Sequence, residues 1–482
     1  MKIKFLSIFL LIIFYFFPFT NLFCEIPPGF EVYFNKPTGT SDANSPGLDF
    51  RFKNYLASVN NKIIYAAFYD IDNSTAIAAL NSALNRGCTV YFICDADATN
   101  ASIFTSSITT SYKIRTSSGS QVHNKFCVIE GSSVWTGSWN PTNNDTYQNN
   151  NNVVVIRSTA VAEIYKNEFV EMYGTPLRTG FSHFGSSKAV NVINTSNNGK
   201  TEYVNGVKVK IYFSPYSTPV TGGTNKVIAN EIKGTGGTKS IQGAKEKVSF
   251  CLFSFTTNSD DSQIYDSLVD VMKQGVEVYG IFDITQTDSQ STYAKLRSTG
   301  AYVTYNADAS NINYNLHHKF GVIDPFTTNA KVITGSHNWS NSANTLNDEN
   351  TLVIYSTGIA KEYYEEFQRI YKNVGPISTP SKKAVDKVVV YPSPAKNRTA
   401  IGFEISSDVT SVTVKIYTLS GEIAREITPV VTPGVYNEVL WNCDNDDGEK
   451  VASGLYILKI EAATSDKTFF AIEKFAVIKG EK

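Results

Sequence analysis

Two short phrases carry the chemistry of this chain. The first is His123-Asn124-Lys125 followed by Gly137-Ser138-Trp139-Asn140; the second is His317-His318-Lys319 followed by Gly335-Ser336-His337-Asn338. Each reads H-x-K and then G-S-x-N. The protein has five histidines and four of them fall inside these phrases, a concentration that packing does not call for. Histidine attacks or passes protons near neutral pH, and lysine neutralises anionic oxygens. An H-x-K on a β-strand puts both side chains on one face. A G-S-x-N turn beside it adds a hydroxyl, an amide and backbone N–H groups. One such set is half of a phosphate site. Two sets brought together place two imidazoles, the ammonium groups of Lys125 and Lys319 and the carboxamides of Asn140 and Asn338 around one phosphorus. Ser138 and Ser336 join them as substrate-binding groups. One histidine attacks phosphorus while the other protonates the leaving oxygen, and the roles reverse for water. The scheme calls for no metal and no cofactor, and no C-x-x-C or His/Cys cluster suggests zinc.

The repeat extends to the elements that must position these residues. Lys62 to Tyr69 is an apolar, β-branched run, followed by a helical stretch from Thr75 to Asn85, a stop at Gly87 and a second buried strand from Cys88 to Cys94. The other half answers with Lys247 to Phe255, a helix near Asp260 to Lys273, Gly275, and a strand from Val276 to Phe282. Strand, helix, glycine, strand is a βαβ unit with parallel strands covered on both faces. Each half then delivers its H-x-K on a strand, Val122 to Ile129 and His318 to Ile323, and returns through the G-S-x-N turn to Val153–Ile156 or Thr351–Tyr355. Each half closes with an aromatic-rich helix, Ala160 to Met172 and Ile359 to Val374. Glu31 to Phe34 and Lys208 to Phe213 open the two halves. The spacing from Gly137 to Asn152 equals that from Gly335 to Asn350, whereas the second copy is longer around Pro325 to Asn329. The fold class is therefore α/β, with two homologous lobes (29–177 and 207–375) around one site. A polar connector, 178–206, joins them.

After a second connector, 376–385, the pattern changes to short alternating strands: Val388–Tyr391, Ala400–Ile405, Val412–Leu419, Val439–Cys443, Gly454–Glu461 and Phe469–Ile478. Residues 386–480 read as a small all-β sandwich without catalytic histidines. At the other end, Lys2 and Lys4 lead an apolar run from Phe5 to Phe17, so 1–24 read as a signal peptide, too short for a membrane span of about 20 residues. The protein is expected to be secreted or held at the cell surface. Cys88 and Cys94 on one strand would lie roughly 20 Å apart and cannot pair, and Cys127 and Cys251 read as small buried hydrophobes. The 482 residues carry 43 Lys plus Arg against 44 Asp plus Glu. That balance gives no bulk electrostatic grip on nucleic acid.

The doubled phrase resembles the phospholipase D superfamily, whose signature H-x-K-x4-D-x6-G-S-x-N occurs twice around one active site. The resemblance covers both lobes, and it implies a phosphohistidine on the N-terminal motif's histidine, His123, with His317 as general acid and base. The signature's aspartate is Glu130 in the first copy and Asp324 in the second, both supporting residues. The family commonly has an acidic residue after G-S-x-N that hydrogen-bonds the catalytic histidine. Glu349 supplies it in the second copy, whereas Asn151 stands in the first. A carboxylate favours an imidazolium and an amide does not, so the expectation is a protonated His317 and a neutral His123. His318 is expected to face away from the site, His337 to shape the pocket, and His183 to be solvated in the connector. Asn149 to Asn152 read either as a solvated loop or as part of the site. The C-terminal segments Tyr391-Pro392-Ser393-Pro394, Val414 to Gly421 and Trp441-Asn442 resemble a FlgD-type immunoglobulin-like domain, which implies a sorting or attachment module contacting a cell surface or secretion machinery.

The favoured substrate is a phospholipid, cleaved on its head-group side. The alternatives are nucleic acid, cut by a secreted non-specific endonuclease of the same superfamily, and a phosphorylated ligand bound at the surface without turnover. Because both motifs lie in one chain, the site needs no dimer.

Overall fold

The computed structural model describes residues 25–35, 47–95, 111–114, 120–173, 199–215, 222–236, 241–257, 262–286, 291–306, 315–373 and 384–478, the last apart from 407, 434, 435 and 466. The leader 1–24, His183 and connector residues 178–198 and 376–383 lie outside the described residues.

Lobe 1 runs β1 (Phe30–Phe34), α1 (Leu48–Ala57), β2 (Ile63–Ala67), α2 (Ser74–Asn85), β3 (Thr89–Asp95), β4 (Ser111–Ile114), β5 (Phe126–Ile129), β6 (Ser133–Gly137), α3 (Asn143–Tyr147), β7 (Asn152–Ile156) and α4 (Thr159–Tyr173). Lobe 2 runs β8 (Lys200–Val204), β9 (Val207–Ser214), α5 (Gly223–Lys233), β10 (Lys247–Leu252), α6 (Gln263–Lys273), β11 (Glu277–Asp283), α7 (Thr292–Ser298), β12 (Tyr302–Asn306), β13 (Lys319–Ile323), β14 (Lys331–Gly335), α8 (Asn341–Thr345), β15 (Glu349–Tyr355) and α9 (Thr357–Asn373). The sheet orders, β1-β7-β6-β5-β2-β3-β4 and β9-β15-β14-β13-β10-β11-β12, match strand for strand. β8 is an extra edge strand paired with β9, so residues 200–204 of the expected connector 178–206 belong to the lobe 2 sheet.

Local chemistry accounts for the shared plan. β2 with β3, and β10 with β11, pair in parallel as the βαβ pattern requires. Asn73 caps α2 by accepting from Ala76 N at 3.0 Å, and Gly87 leaves the helix at φ +79°, the left-handed stop that glycine adopts without strain. α1 and α2 cover one face of the first sheet through Phe52, Leu56, Leu80 and Trp135. α5 and α6 cover one face of the second through Ile228, Phe250, Leu268 and Trp339. The other faces, with α4 and α9, merge into one core spanning both lobes, where Tyr165 and Phe169 share a cluster with Phe320 and Tyr363. This common core fixes the lobes against each other and brings the two motifs together.

One expectation shifts. The H-x-K phrases lie at the entrance to their strands rather than within them: β5 begins at Phe126 and Lys319 is the first residue of β13. Extended pairing there is made with the opposite lobe instead, through the bridges Val122–Asp348 and Asn150–Leu316. The C-terminal unit is a sandwich of a three-stranded sheet, β16 (Val385–Tyr391), β17 (Thr399–Ile405) and β20 (Tyr436–Trp441), and a four-stranded sheet, β19 (Ile423–Ile427), β18 (Ser411–Thr418), β21 (Gly454–Ala463) and β22 (Thr468–Val477). Its core, including Phe403, Ile416, Trp441, Leu458 and Phe475, is separate from those of the lobes.

Candidate active site

The glycine of each G-S-x-N sits where the chain passes against the neighbouring strand. A Cβ at Gly137 (φ +156°) would lie 2.2 Å from Asn152 O, and one at Gly335 (φ +133°) 2.3 Å from Asn350 O. Only glycine permits that approach. It lets the next residue's hydroxyl reach the strand: Ser138 Oγ donates to Asn151 Oδ1 at 2.9 Å, and Ser336 Oγ donates to Glu349 Oε2 at 2.6 Å. Each hydroxyl also accepts from a backbone N–H, Asn152 N at 3.1 Å or Asn350 N at 3.0 Å. Both serines are fully buried. Each hydroxyl thereby braces the residue that meets a motif histidine.

Those partnerships cross between lobes. His123 Nδ1 lies 2.8 and 2.9 Å from the two oxygens of Glu349, and His317 Nδ1 lies 2.9 Å from Asn151 Oδ1. The expected pairing of Glu349 with His317 is thus wrong: the carboxylate of one motif serves the histidine of the other, because Glu349 at the start of β15 and Asn151 just before β7 both lie at the lobe interface. The neutral state of His123 does not follow from an amide partner. Burial, then the nearby Lys125 and Lys319, push its imidazole well below the usual histidine range. Burial likewise drives His317 down, opposed by Asp145 and reinforced by Lys319, Lys125 and His123. With Nδ1–H donated to Glu349, the lone pair of His123 rests on Nε2, the nitrogen a nucleophile needs.

The residues after these repeat the exchange. Asn350 Oδ1 accepts from Thr136 Oγ1 (2.9 Å) and Tyr165 OH (3.2 Å), and its Nδ2 donates to Asn124 Oδ1 at 3.1 Å. Asn152 Oδ1 accepts from Thr334 Oγ1 (2.8 Å) and Tyr363 OH (3.2 Å), and its Nδ2 meets His318 Nδ1 at 3.2 Å. His318 faces away from the catalytic histidines, as expected, and pairs with Glu366 at 3.0 Å. The asparagine run 149–152 is buried and belongs to the site.

Lys125 and Lys319 are buried, and each ammonium donates to the main-chain carbonyl of its own histidine, at 2.8 and 3.0 Å. Burial lowers Lys125 to about 8; burial and the neighbouring Lys125 lower Lys319 to about 7. Glu349 moves the other way, raised to about 7 by burial despite the two lysines. His337 is buried near Glu349 and His123, its ring nitrogens without hydrogen-bond partners among the described residues, and burial lowers it to about 4. Asn140 donates through its backbone and side chain to Asp145 Oδ2 at 2.9 and 2.8 Å, while the buried Oδ1 of Asn338 is unpartnered among the described residues. Glu130 and Asp324 lie at the far ends of the motif strands. Asp324 accepts from Lys245 N, Glu246 N and Lys247 N at 2.8, 2.9 and 2.9 Å, and Glu130 pairs with Lys166 at 2.9 Å. They brace the sheets.

Three sets of residues escape a reading of the motifs alone. Tyr69 stands beside His123 and under Lys125, and Phe253 stands beside His317 and under Lys319, with ring centroids 5.9 and 5.2 Å from the imidazoles. Asp95 Oδ2 accepts from Val122 N at 2.7 Å and Asp283 Oδ2 from Leu316 N at 2.9 Å, fixing the residue before each histidine. These pairs sit at the C-terminal ends of β2, β10, β3 and β11, and aligning the two halves to the ends of those strands would have found them. Asp145, the third, has no counterpart in the repeat.

A sequence profile described as "Cardiolipin synthase, PLD-like domain" matches residues 53–173 and 238–371. The chain belongs to the phospholipase D family. The FlgD immunoglobulin-like profile matches residues 390–466, in agreement with the C-terminal sandwich. The chain is similar to mitochondrial cardiolipin hydrolases, 31% identical to that of Xenopus laevis over 137 residues and 30% identical to that of Mus musculus over 139 residues. These matches cover 28% and 29% of this chain and 60% and 58% of those proteins, so the alignments span less than two thirds of the relatives' length. The crystal structure of phosphatidylserine synthase from Haemophilus influenzae superposes with a TM-score of 0.50 at 15% identity, covering 73% of this chain and 88% of that one, and shares the fold. In this chain the two copies of the motif meet in a single site at the lobe interface.

Proposed function

We propose that this protein is an exported phospholipase D-type hydrolase that cleaves the head-group ester of a glycerophospholipid through a phosphohistidine on His123. The observation that carries the reading is the pair of buried ammonium groups, Lys125 and Lys319. Within 4 Å of either, no carboxylate forms an ion pair among the described residues, so each meets main-chain carbonyls instead. Two desolvated cations without an ion-paired anion are costly unless the site receives one, and a phosphodiester between the two imidazoles provides it. His123 Nε2 attacks phosphorus and the P–O bond to the head group breaks, with the leaving oxygen taking the proton from His317. Water, deprotonated by His317, then releases the phosphoryl group from His123.

Lipid is favoured over nucleic acid by the balanced net charge, by the aromatic walls Tyr69 and Phe253, and by the similarity to proteins named cardiolipin hydrolases. The lysine-led apolar run within residues 1–24 supports export, and the FlgD-like sandwich is proposed as the attachment or sorting module. Residues 25–482 are to be incubated with mixed phospholipid vesicles in EDTA, with His123→Ala as the blank. Head-group release by the wild type alone is expected. Plasmid nicking without lipid release would move the substrate to nucleic acid, and phosphate-ester binding with neither activity would favour the binding protein.

A further inference from the structure

The two motif histidines are provisioned differently. His123 has the carboxylate Glu349; at the equivalent position facing His317 stands Asn151, whose amide oxygen carries only a partial charge. A carboxylate reaches His317 by another route. Asp145, in α3, places Oδ1 3.4 Å from His317 Nδ1. Its place in the repeat is fixed by capping: Thr142 Oγ1 accepts from Asp145 N, and Ser340 Oγ accepts from Ala343 N at the start of α8. The counterpart of Asp145 is therefore Ala343, and lobe 2 has no carboxylate there. The Asp145 carboxylate is itself held rigidly, with Oδ1 accepting from Asn149 Nδ2 at 2.7 Å and Oδ2 from both Asn140 N–H donors.

We infer that Asp145 is the positioning residue for His317, replacing in lobe 1 the carboxylate that its motif lacks and holding the imidazolium that protonates the leaving oxygen. The charged groups facing His317 are Asp145 from α3, Lys319 from its own segment, and Lys125 and His123 from lobe 1. Burial and the three cationic or potentially cationic neighbours disfavour a proton on His317, and Asp145 opposes them. The carboxyl in turn is held below its usual range: burial raises it, but His317, Asn149, Asn140 and Lys319 outweigh that. A buried anion kept ionised beside His317 opposes the loss of its proton, while burial still holds the imidazole below the usual histidine range.

This inference rests on the phosphodiesterase reading, and leaving-group chemistry separates the two. An alkoxide leaving group, as in phosphatidylcholine, needs the proton from His317; p-nitrophenolate, released from phosphatidyl-p-nitrophenol, does not. Asp145→Asn should lower kcat by about 10- to 100-fold on phosphatidylcholine, part of the range for general acid catalysis, by less than about threefold on the nitrophenyl substrate, and leave KM little changed. Adding Asn151→Asp restores a carboxylate 2.9 Å from His317 and should recover most of the lost rate. Equal losses on both substrates, or no loss, would overturn the role. An NMR titration of the His317 ring, which needs no turnover, is the parallel measurement: its midpoint should fall in Asp145→Asn, and an unmoved midpoint would refute the inference. A wild type inactive on both substrates would count against the phosphodiesterase reading alone, with the titration still deciding Asp145.

Discussion

Replacing Glu349 by Gln should make the protein more stable and a worse catalyst. Glu349 is fully buried, contacts His123 and Ser336, and is raised from 4.5 to about 7 chiefly by burial. A carboxyl whose pKa is raised on folding takes up protons as the chain folds, so its contribution to stability is present below about pH 4.5 and is lost as pH rises through 7. The loss amounts to about 3 kcal/mol at pH 8, from 1.36 kcal/mol per pKa unit. Gln keeps the shape and can still accept from Ser336 and His123, but bears no charge. At pH 8 Glu349→Gln should therefore gain up to about 3 kcal/mol, or several degrees of Tm; at pH 4.5 it should gain little. Catalysis moves oppositely. A hydrogen bond to a charged group contributes about 1.5–3 kcal/mol, so its loss at His123 should lower kcat roughly 10- to 150-fold. Thermal unfolding at pH 4.5 and 8, beside head-group release, checks both signs. A variant that is less stable at pH 8, or as active as the wild type, would refute this account of the His123–Glu349 pair.

Burial leaves Lys319 at about 7 and Lys125 at about 8. Sulfate, whose charge is constant in this range, should bind best near pH 6 and weaken as the lysines lose protons through pH 7–8. Calorimetry of the wild type and Lys319→Met should show the variant binding more weakly, with its remaining pH step near 8. Gly335→Ala would drive a Cβ to 2.3 Å from Asn350 O and should destabilise the lobes by at least about 3 kcal/mol, read by denaturant unfolding. Asn350→Ala strands Thr136, Tyr165 and Asn124 across the lobe interface and should cost about 2–4 kcal/mol, whereas an exposed change such as Lys273→Ala should cost almost nothing.

Much of the architecture was legible because it is written twice. The parallel β2–β3 and β10–β11 pairs, the closing helices α4 and α9, and the lysines and histidines of the site all follow from alternation, helical spacing and the repeated phrases. α1 and α5 were missed because their apolar stripes are broken by charge: Leu48–Ala57 carries Asp49, Arg51 and Lys53, and Gly223–Lys233 starts on glycine. β19 escaped because Ile423–Ile427 has two charged residues in five. The partner of Glu349 was misassigned for a different reason. Spacing along a chain reports which residues share a motif; it does not report that β7 and β15 approach across the lobe interface, so a pairing between halves has no signature in either half. Asp145 was invisible on the same ground, since a residue present in one copy is the kind of position a repeat discards.

The crossed partnerships also bear on how two unlike roles can arise from like halves. Each histidine is completed by the other lobe, and Asn152 and Asn350 exchange their hydrogen bonds in the same reciprocal way. A substitution inherited by one half is therefore felt by the reactive nitrogen of the other, while its own histidine is untouched. Position 349 can drift to suit an attacking group and positions 145 and 151 a proton donor, with neither change breaking the strand that carries it. Division of labour is open to this duplicated chain because neither half governs its own chemistry.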